Sequence, residues 1–145
     1  MNILYHMNHN NLDIRWKQRF ANLTKAKEIL NTIKGVQTNE QNPVMLAGWI
    51  HVFDLVFELS WKTLRDYMTA QGESESLGFT RDILATAVAH QLISDGGYLW
   101  LDMLADRNSS THEYDHQDAI EVFKKIRDIY LPEINKLYAK LDELT

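Results

Sequence analysis

The densest chemistry in this chain lies in Arg107-Asn108-Ser109-Ser110-Thr111-His112-Glu113-Tyr114. The segment combines a guanidinium that stays charged at any working pH, an imidazole that titrates near neutrality, and a phenol. A short polar break separates the cation from the other two. A fixed cation can hold a phosphate while an imidazole moves a proton, so the set points to chemistry on a phosphodiester or a nucleotide. The plain alternative makes Arg107 a charge at a helix C-terminus, His112 a surface residue and Tyr114 a plug at the end of a bundle.

The same window contains a second pattern. His112-Glu113-Tyr114-Asp115-His116 reads as H-E-x-x-H, in which two imidazoles one turn apart bind zinc and the Glu between them is the base. That arrangement needs a well-formed helix and a third ligand. Here the first His follows Asn-Ser-Ser-Thr, which is helix-start or loop chemistry, and Asp115 puts a charge directly before the second. Glu133 is a candidate third ligand, but Pro132 sits beside it. We read the match as accidental and expect neither a metal nor a cofactor.

The remaining polar residues have bland readings. Glu58 and Lys62 form a favourable i,i+4 pair, with Asp54 one turn earlier. Asp102 and Asp106, one turn apart before Arg107, either orient its guanidinium or keep a helix solvated. Lys124, Lys125 and Arg127 read as a solvated face. His51 and His90 sit among apolar neighbours and read as packed or hydrogen-bonded residues rather than catalytic ones. Trp16, Trp49, Trp61 and Trp100 read as core.

Bulk properties bound the function. A chain of 145 residues with 45% hydrophobic content is one domain that can fill its own core. It has no cysteine, which excludes disulfides and thiolate metal sites and is compatible with a reducing cytosol. The sequence shows no unbroken apolar run of membrane-spanning length, and the polar segment 1–11 lacks a signal-peptide pattern. We expect a flexible segment over 1–11, a single bundle over 12–145, and a cytoplasmic location without membrane contact. The net charge of -5 argues against a generic nucleic-acid coat. Any phosphate site must be local, or a partner must supply positive charge.

The elements that position the site are helical. Trp16, Phe20, Leu23, Ala26, Leu30 and Ile33 form one apolar stripe over Leu12 to Ile33, ended by Gly35. A second helix, Met45 to Gln71, carries Ile50, Phe53, Phe57, Trp61 and Leu64 as a stripe and stops at Gly72. Val52, Leu55, Val56 and Leu59 widen that stripe, so the helix needs cover on two sides. We expect the core on one and a second subunit on the other. Thr80 caps a shorter helix, Arg81 to Leu92, and Asp95-Gly96-Gly97 is a turn. Tyr98 to Asp106 is another short helix. The last runs from Gln117 to Leu144, kinked by Pro132. With no strand alternation, the pattern predicts an all-α, antiparallel up-and-down bundle of four to five helices.

Three blocks resemble the nucleotidyltransferase substrate-binding proteins, the HepT-like branch of the HEPN superfamily. They are Asp13-Ile14-Arg15-Trp16-Lys17-Gln18-Arg19-Phe20, Phe57-Glu58-Leu59-Ser60-Trp61-Lys62, and Leu99 to Asn108 continued through His112-Glu113-Tyr114-Asp115. The resemblance spans roughly Asp13 to Glu143 and implies a dimerising helical bundle that pairs with a minimal nucleotidyltransferase. In such ribonucleases the motif arginine and histidine of two subunits meet at the dimer cleft and cut RNA without a metal. The HepT-like motif is R-x4-H-x-Y, matched here at Arg107, His112 and Tyr114. In toxin–antitoxin pairs of this kind, the partner transfers AMP to the tyrosine and silences the toxin.

The resemblance implies roles that chemistry makes concrete. His112 would take the proton of a ribose 2′-hydroxyl, and Arg107 would stabilise charge on the phosphorane-like transition state, giving a 2′,3′-cyclic phosphate. Asn108 and the polar residues after it would add hydrogen bonds, with Asp102 supporting Arg107. AMP on Tyr114 would block the cleft by bulk and negative charge. The alternative is a non-catalytic subunit that presents a substrate or nucleotide to the nucleotidyltransferase.

Overall fold

Apolar residues spaced three and four apart become helices throughout the chain. The computed structural model describes residues 3–74, 77–94, 97–109 and 115–145, with side chains from His9 onward. Its helices are α1 (Ile3–Asn31), α2 (Pro43–Ala70), α3 (Thr80–Ala89), α4 (Tyr98–Asn108), α5 (His116–Lys125) and α6 (Leu131–Glu143). A π-helical turn, Ile126–Tyr130, joins α5 to α6, so five rods make the bundle. No strand occurs among the described residues, and the fold is all-α as the pattern predicts.

The expected segment 1–11 differs from what is seen. α1 begins at Ile3, well before the apolar stripe starts at Leu12. Side chains 9–11 are exposed, whereas Leu12 packs against the core. Leu12 therefore marks where the apolar stripe begins, not where the helix begins. No Gly or Pro interrupts the extension, so backbone propagation carries it.

Local chemistry sets the other ends. The Asn42 side chain accepts a hydrogen bond from the Met45 N–H at 2.9 Å, and Pro43 occupies the first turn of α2, where no N–H is needed. Gly72, at φ 108, ends the helix in the left-handed region. Phe79, not Thr80, stands at the N-cap of α3, and the Asp82 carboxylate accepts the Phe79 N–H at 3.0 Å. The kink expected at Pro132 takes the form of the π turn just before it. Proline removes one N–H and crowds the carbonyl four residues back, and a widened turn relieves both.

α2 is the hub, in contact with α1, α3, α4 and α5. Aromatic pairs tie it to its neighbours: Tyr67 edge-on to Trp16 of α1 at 5.0 Å, Phe57 stacked on Trp100 of α4 at 6.1 Å, and Phe53 stacked on Tyr130 at 5.4 Å. The broad apolar stripe was expected to need a second subunit as well as the core. Helices of the same chain cover most of it, and Val52 and Leu59 pack against the core. Leu55, Val44 and Met45 remain exposed on α2. By length and composition α2 is apolar enough to cross a membrane. Its central place in the bundle accounts for that apolarity.

Candidate functional site

α4 delivers Arg107 to the surface in its last turn. Burial of Trp100 and Met103 fixes the rotation of the helix, and a cation in the last turn suits the helix dipole. The helix ends at Asn108, where Ser109 turns extended with ψ 121. The next described residue, Asp115, is also extended and caps α5, its carboxylate accepting from the N–H groups of Gln117 and Asp118. His112 and Tyr114 lie between these two ends, outside the described residues.

Of the H-E-x-x-H match, His116 is the first residue of α5 and Asp115 before it is extended; His112, Glu113 and Tyr114 lie outside the described residues. Glu133, the candidate third ligand, is buried and accepts a hydrogen bond from Lys136 at 2.7 Å.

The carboxylate that holds Arg107 is Glu58 of α2. Arg107 Nη2 lies 3.0 Å from Glu58 Oε2, which also accepts the Trp61 indole N–H at 3.2 Å. Lys62 Nζ lies 3.0 Å from the other carboxylate oxygen. Burial raises the Glu58 carboxyl, but hydrogen bonds from Lys62 and Trp61 and the charge of Arg107 outweigh it and leave it below its ordinary value. Glu58 is thus an anion with its acceptor sites occupied, better suited to orient Arg107 than to take a proton. The i,i+4 pairing with Lys62 was legible in the sequence, but the grip on Arg107 was not. Trp61, expected in the core, is only partly buried because its N–H serves this carboxylate.

A cleft of about 270 Å³ opens beside the pair, walled by Phe57, Trp61 and Leu104, with Phe79, Arg107 and Asn108 at its mouth. Asn108, expected to support the site, lines it. Asp102, the other expected support, is exposed on α4, and the carboxylate in contact with Arg107 is Glu58 instead. Asp106 turns toward the π segment, where it accepts the Tyr130 hydroxyl and pairs with Lys125 at 3.4 Å. Burial, the bond to Asp106 and the charges of Asp106 and Asp102 push the Tyr130 phenol well above its ordinary value. Arg127, expected on a solvated face, is pinned. It bonds Asp128 through two nitrogens and reaches the Val36 carbonyl at 3.0 Å. His51 and His90 are both exposed, and His90 is hydrogen-bonded to Glu73, one of the two settings its sequence context offered.

Helix order and the cleft beside Arg107 define an all-α helical bundle with a candidate site at the end of α4. Residues 18–143 match the family described as nucleotidyltransferase substrate binding protein like. The chain belongs to that family, in its HepT-like branch. It is similar to a Haemophilus influenzae protein described as a probable ribonuclease HepT, with 31% identity over 91 residues. That stretch covers 60% of this chain and 61% of the relative's length.

Proposed function

We propose that this protein is the HepT-like partner of a minimal nucleotidyltransferase and a metal-independent endoribonuclease. The observation that carries the reading is Arg107, held by Glu58 at the mouth of a cleft and immediately before the segment that contains His112 and Tyr114. The similarity to a protein described as a ribonuclease supports it.

In this mechanism His112 removes the proton of a ribose 2′-hydroxyl. The oxygen attacks the adjacent phosphorus, and the 5′-oxygen leaves and takes up a proton. Arg107 balances the charge that builds on the non-bridging oxygens. The products are a 2′,3′-cyclic phosphate and a 5′-hydroxyl. Two copies of the chain form the working unit, in the cytoplasm, with each contributing an arginine and a histidine. AMP transferred to Tyr114 by the partner closes the cleft by bulk and repulsion.

The test is RNA cleavage by purified protein in EDTA, wild type beside His112→Ala, with Tyr114 shown to be unmodified by mass. Cleavage by wild type and its loss in the variant are expected. Cleavage by both overturns the role of His112. Cleavage by neither favours the second reading, a non-catalytic subunit that presents a substrate to the nucleotidyltransferase, as the family description suggests.

A further inference from the structure

A second cluster of arginines lies two turns along α2 from Glu58. Asp66 is buried, and its carboxylate receives three guanidinium groups: Arg19 at 2.6 Å, Arg65 at 3.1 Å and Arg15 at 3.8 Å. One carboxylate cannot neutralise three cations. Arg15 is the loose one, 59% exposed, while Arg19 and Arg65 are 26% and 27% exposed. A cavity of about 260 Å³ opens there, lined by Leu12, Arg15, Arg65, Asp66 and Thr69.

The two arginine sites are physically continuous. Arg107 contacts Glu58, and Glu58 contacts Lys62 and Trp61. Lys62 and the Arg65 guanidinium both lie over the Trp61 ring, at 5.6 and 5.4 Å, and Arg65 bonds Asp66. Glu58, Lys62 and Arg65 share one helical stripe, since they are four and three residues apart. The tract holds five cations, Arg107, Lys62, Arg65, Arg19 and Arg15, against Glu58 and Asp66. Asp54, a turn before Glu58, bounds it on the acidic side. An excess of positive charge where α1, α2 and α4 meet, on a protein of net charge -5, is a local feature suited to an anionic ligand.

We propose that this tract is the track of the RNA strand, with Arg15, Arg19 and Arg65 forming a phosphate-binding subsite remote from the scissile bond. The proposal rests on the ribonuclease reading. Eight residues of helix separate Glu58 from Asp66, a rise of about 12 Å. That span places the subsite a few nucleotides at most along a single strand from the scissile bond. Guanidinium forks suit phosphate oxygens, and Asp66 holds Arg19 and Arg65 ready while Arg15, more exposed and paired at the longer distance of 3.8 Å, can swing to close on the strand. The subsite reads no base, so it adds affinity without sequence preference.

The experiment measures binding of a labelled twelve-nucleotide single-stranded RNA in EDTA, in the His112→Ala background so that the RNA survives. Arg15→Ala is the first variant, because Arg19 and Arg65 still hold Asp66 without it. Binding is expected to weaken about fivefold, with the salt dependence falling by about one counterion. Arg15→Lys should restore most of it. In the His112 parent, Arg15→Ala should leave cleavage of a dinucleotide unchanged while raising the KM for the long RNA. Equal binding of the long RNA by Arg15→Ala and its parent overturns the subsite and leaves the ribonuclease reading standing. Loss of binding to the nucleotidyltransferase, with RNA binding unchanged, also overturns it and assigns the tract to the protein partner. No RNA binding by any variant, together with no cleavage by the His112 parent, overturns both.

Discussion

Glu58 and Asp66 stand two turns apart on the same helix, and arginine grips each of them, yet the two places are built differently. Asp66 is 5% exposed and bonds arginines from α1 and α2, so it ties those helices together from within. Glu58 is 28% exposed and reaches one arginine, from α4, across the mouth of a cleft. A buried carboxylate whose partners leave is a lasting defect, because water cannot replace them. A half-exposed one can exchange partners at little cost. For Arg19 and Arg65 the first is a tether; the second is a positioning device that leaves Arg107 able to turn toward a substrate.

The largest effect that tests this contrast belongs to Arg107. Arg107→Ala should lower RNA cleavage by about a hundredfold or more, as expected for loss of a group that balances transition-state charge. Its stability in urea should change by less than ~1 kcal/mol. A large loss of stability would make Arg107 a tether as well and erase the distinction.

Asp66→Ala should do the reverse. It strips the shared acceptor from Arg19 and Arg65 and should cost about 2–3 kcal/mol, read as a lower urea midpoint. A change within about 0.5 kcal/mol would mean that the buried knot holds nothing together.

Glu58→Gln sits between them. Cleavage should fall by about tenfold through misplacement of Arg107, with less than ~1 kcal/mol lost in stability. The coupling of Glu58 to Arg107 in a double-mutant cycle should be smaller still, about 0.5 kcal/mol near neutral pH. The Glu58 carboxyl is held below its ordinary value, so the pair contributes fully above about pH 4.5. The contribution is lost as pH falls through the lowered folded value, and repeating the cycle in acid should show the coupling vanish.

Tyr130 gives the opposite sign. Its phenol is raised from an ordinary value of 10.0, so the contribution is complete below that pH. It is lost as pH rises toward the raised folded value. Wild type should lose stability in alkali more steeply than Tyr130→Phe, which itself should cost about 1 kcal/mol at neutral pH. Parallel alkaline profiles would place the Tyr130–Asp106 bond outside the energetics of the fold.

The same contrast explains what the sequence could disclose. Helices and core stripes were legible because they repeat locally: Phe20, Leu23 and Leu30 on α1, or Phe53, Phe57 and Leu64 on α2, declare their faces within a few residues. Caps were partly legible. Asn42 and Gly72 act as their types predict, but Phe79 takes the cap expected of Thr80 because Asp82 reaches back to its N–H. The ion pairs were not legible. Glu58 meets Arg107, and Asp66 meets Arg15 and Arg19, across helices whose relative rotation no local pattern encodes. Glu58 therefore looked like a partner of Lys62 alone, and Asp102, nearer to Arg107 in sequence, looked like the better support. The start of α1 at Ile3 was not legible because the helix extends beyond the regular apolar stripe that begins at Leu12.

The central claim is that Arg107, held by Glu58, belongs to a centre that cuts RNA without a metal. Its most direct test is the mass of the 3′ ends released from RNA in EDTA by protein unmodified at Tyr114. The account predicts 2′,3′-cyclic phosphate ends from wild type and none from Arg107→Ala at equal protein and time. Ends bearing a 3′-hydroxyl, or cyclic ends formed equally by Arg107→Ala, would contradict it.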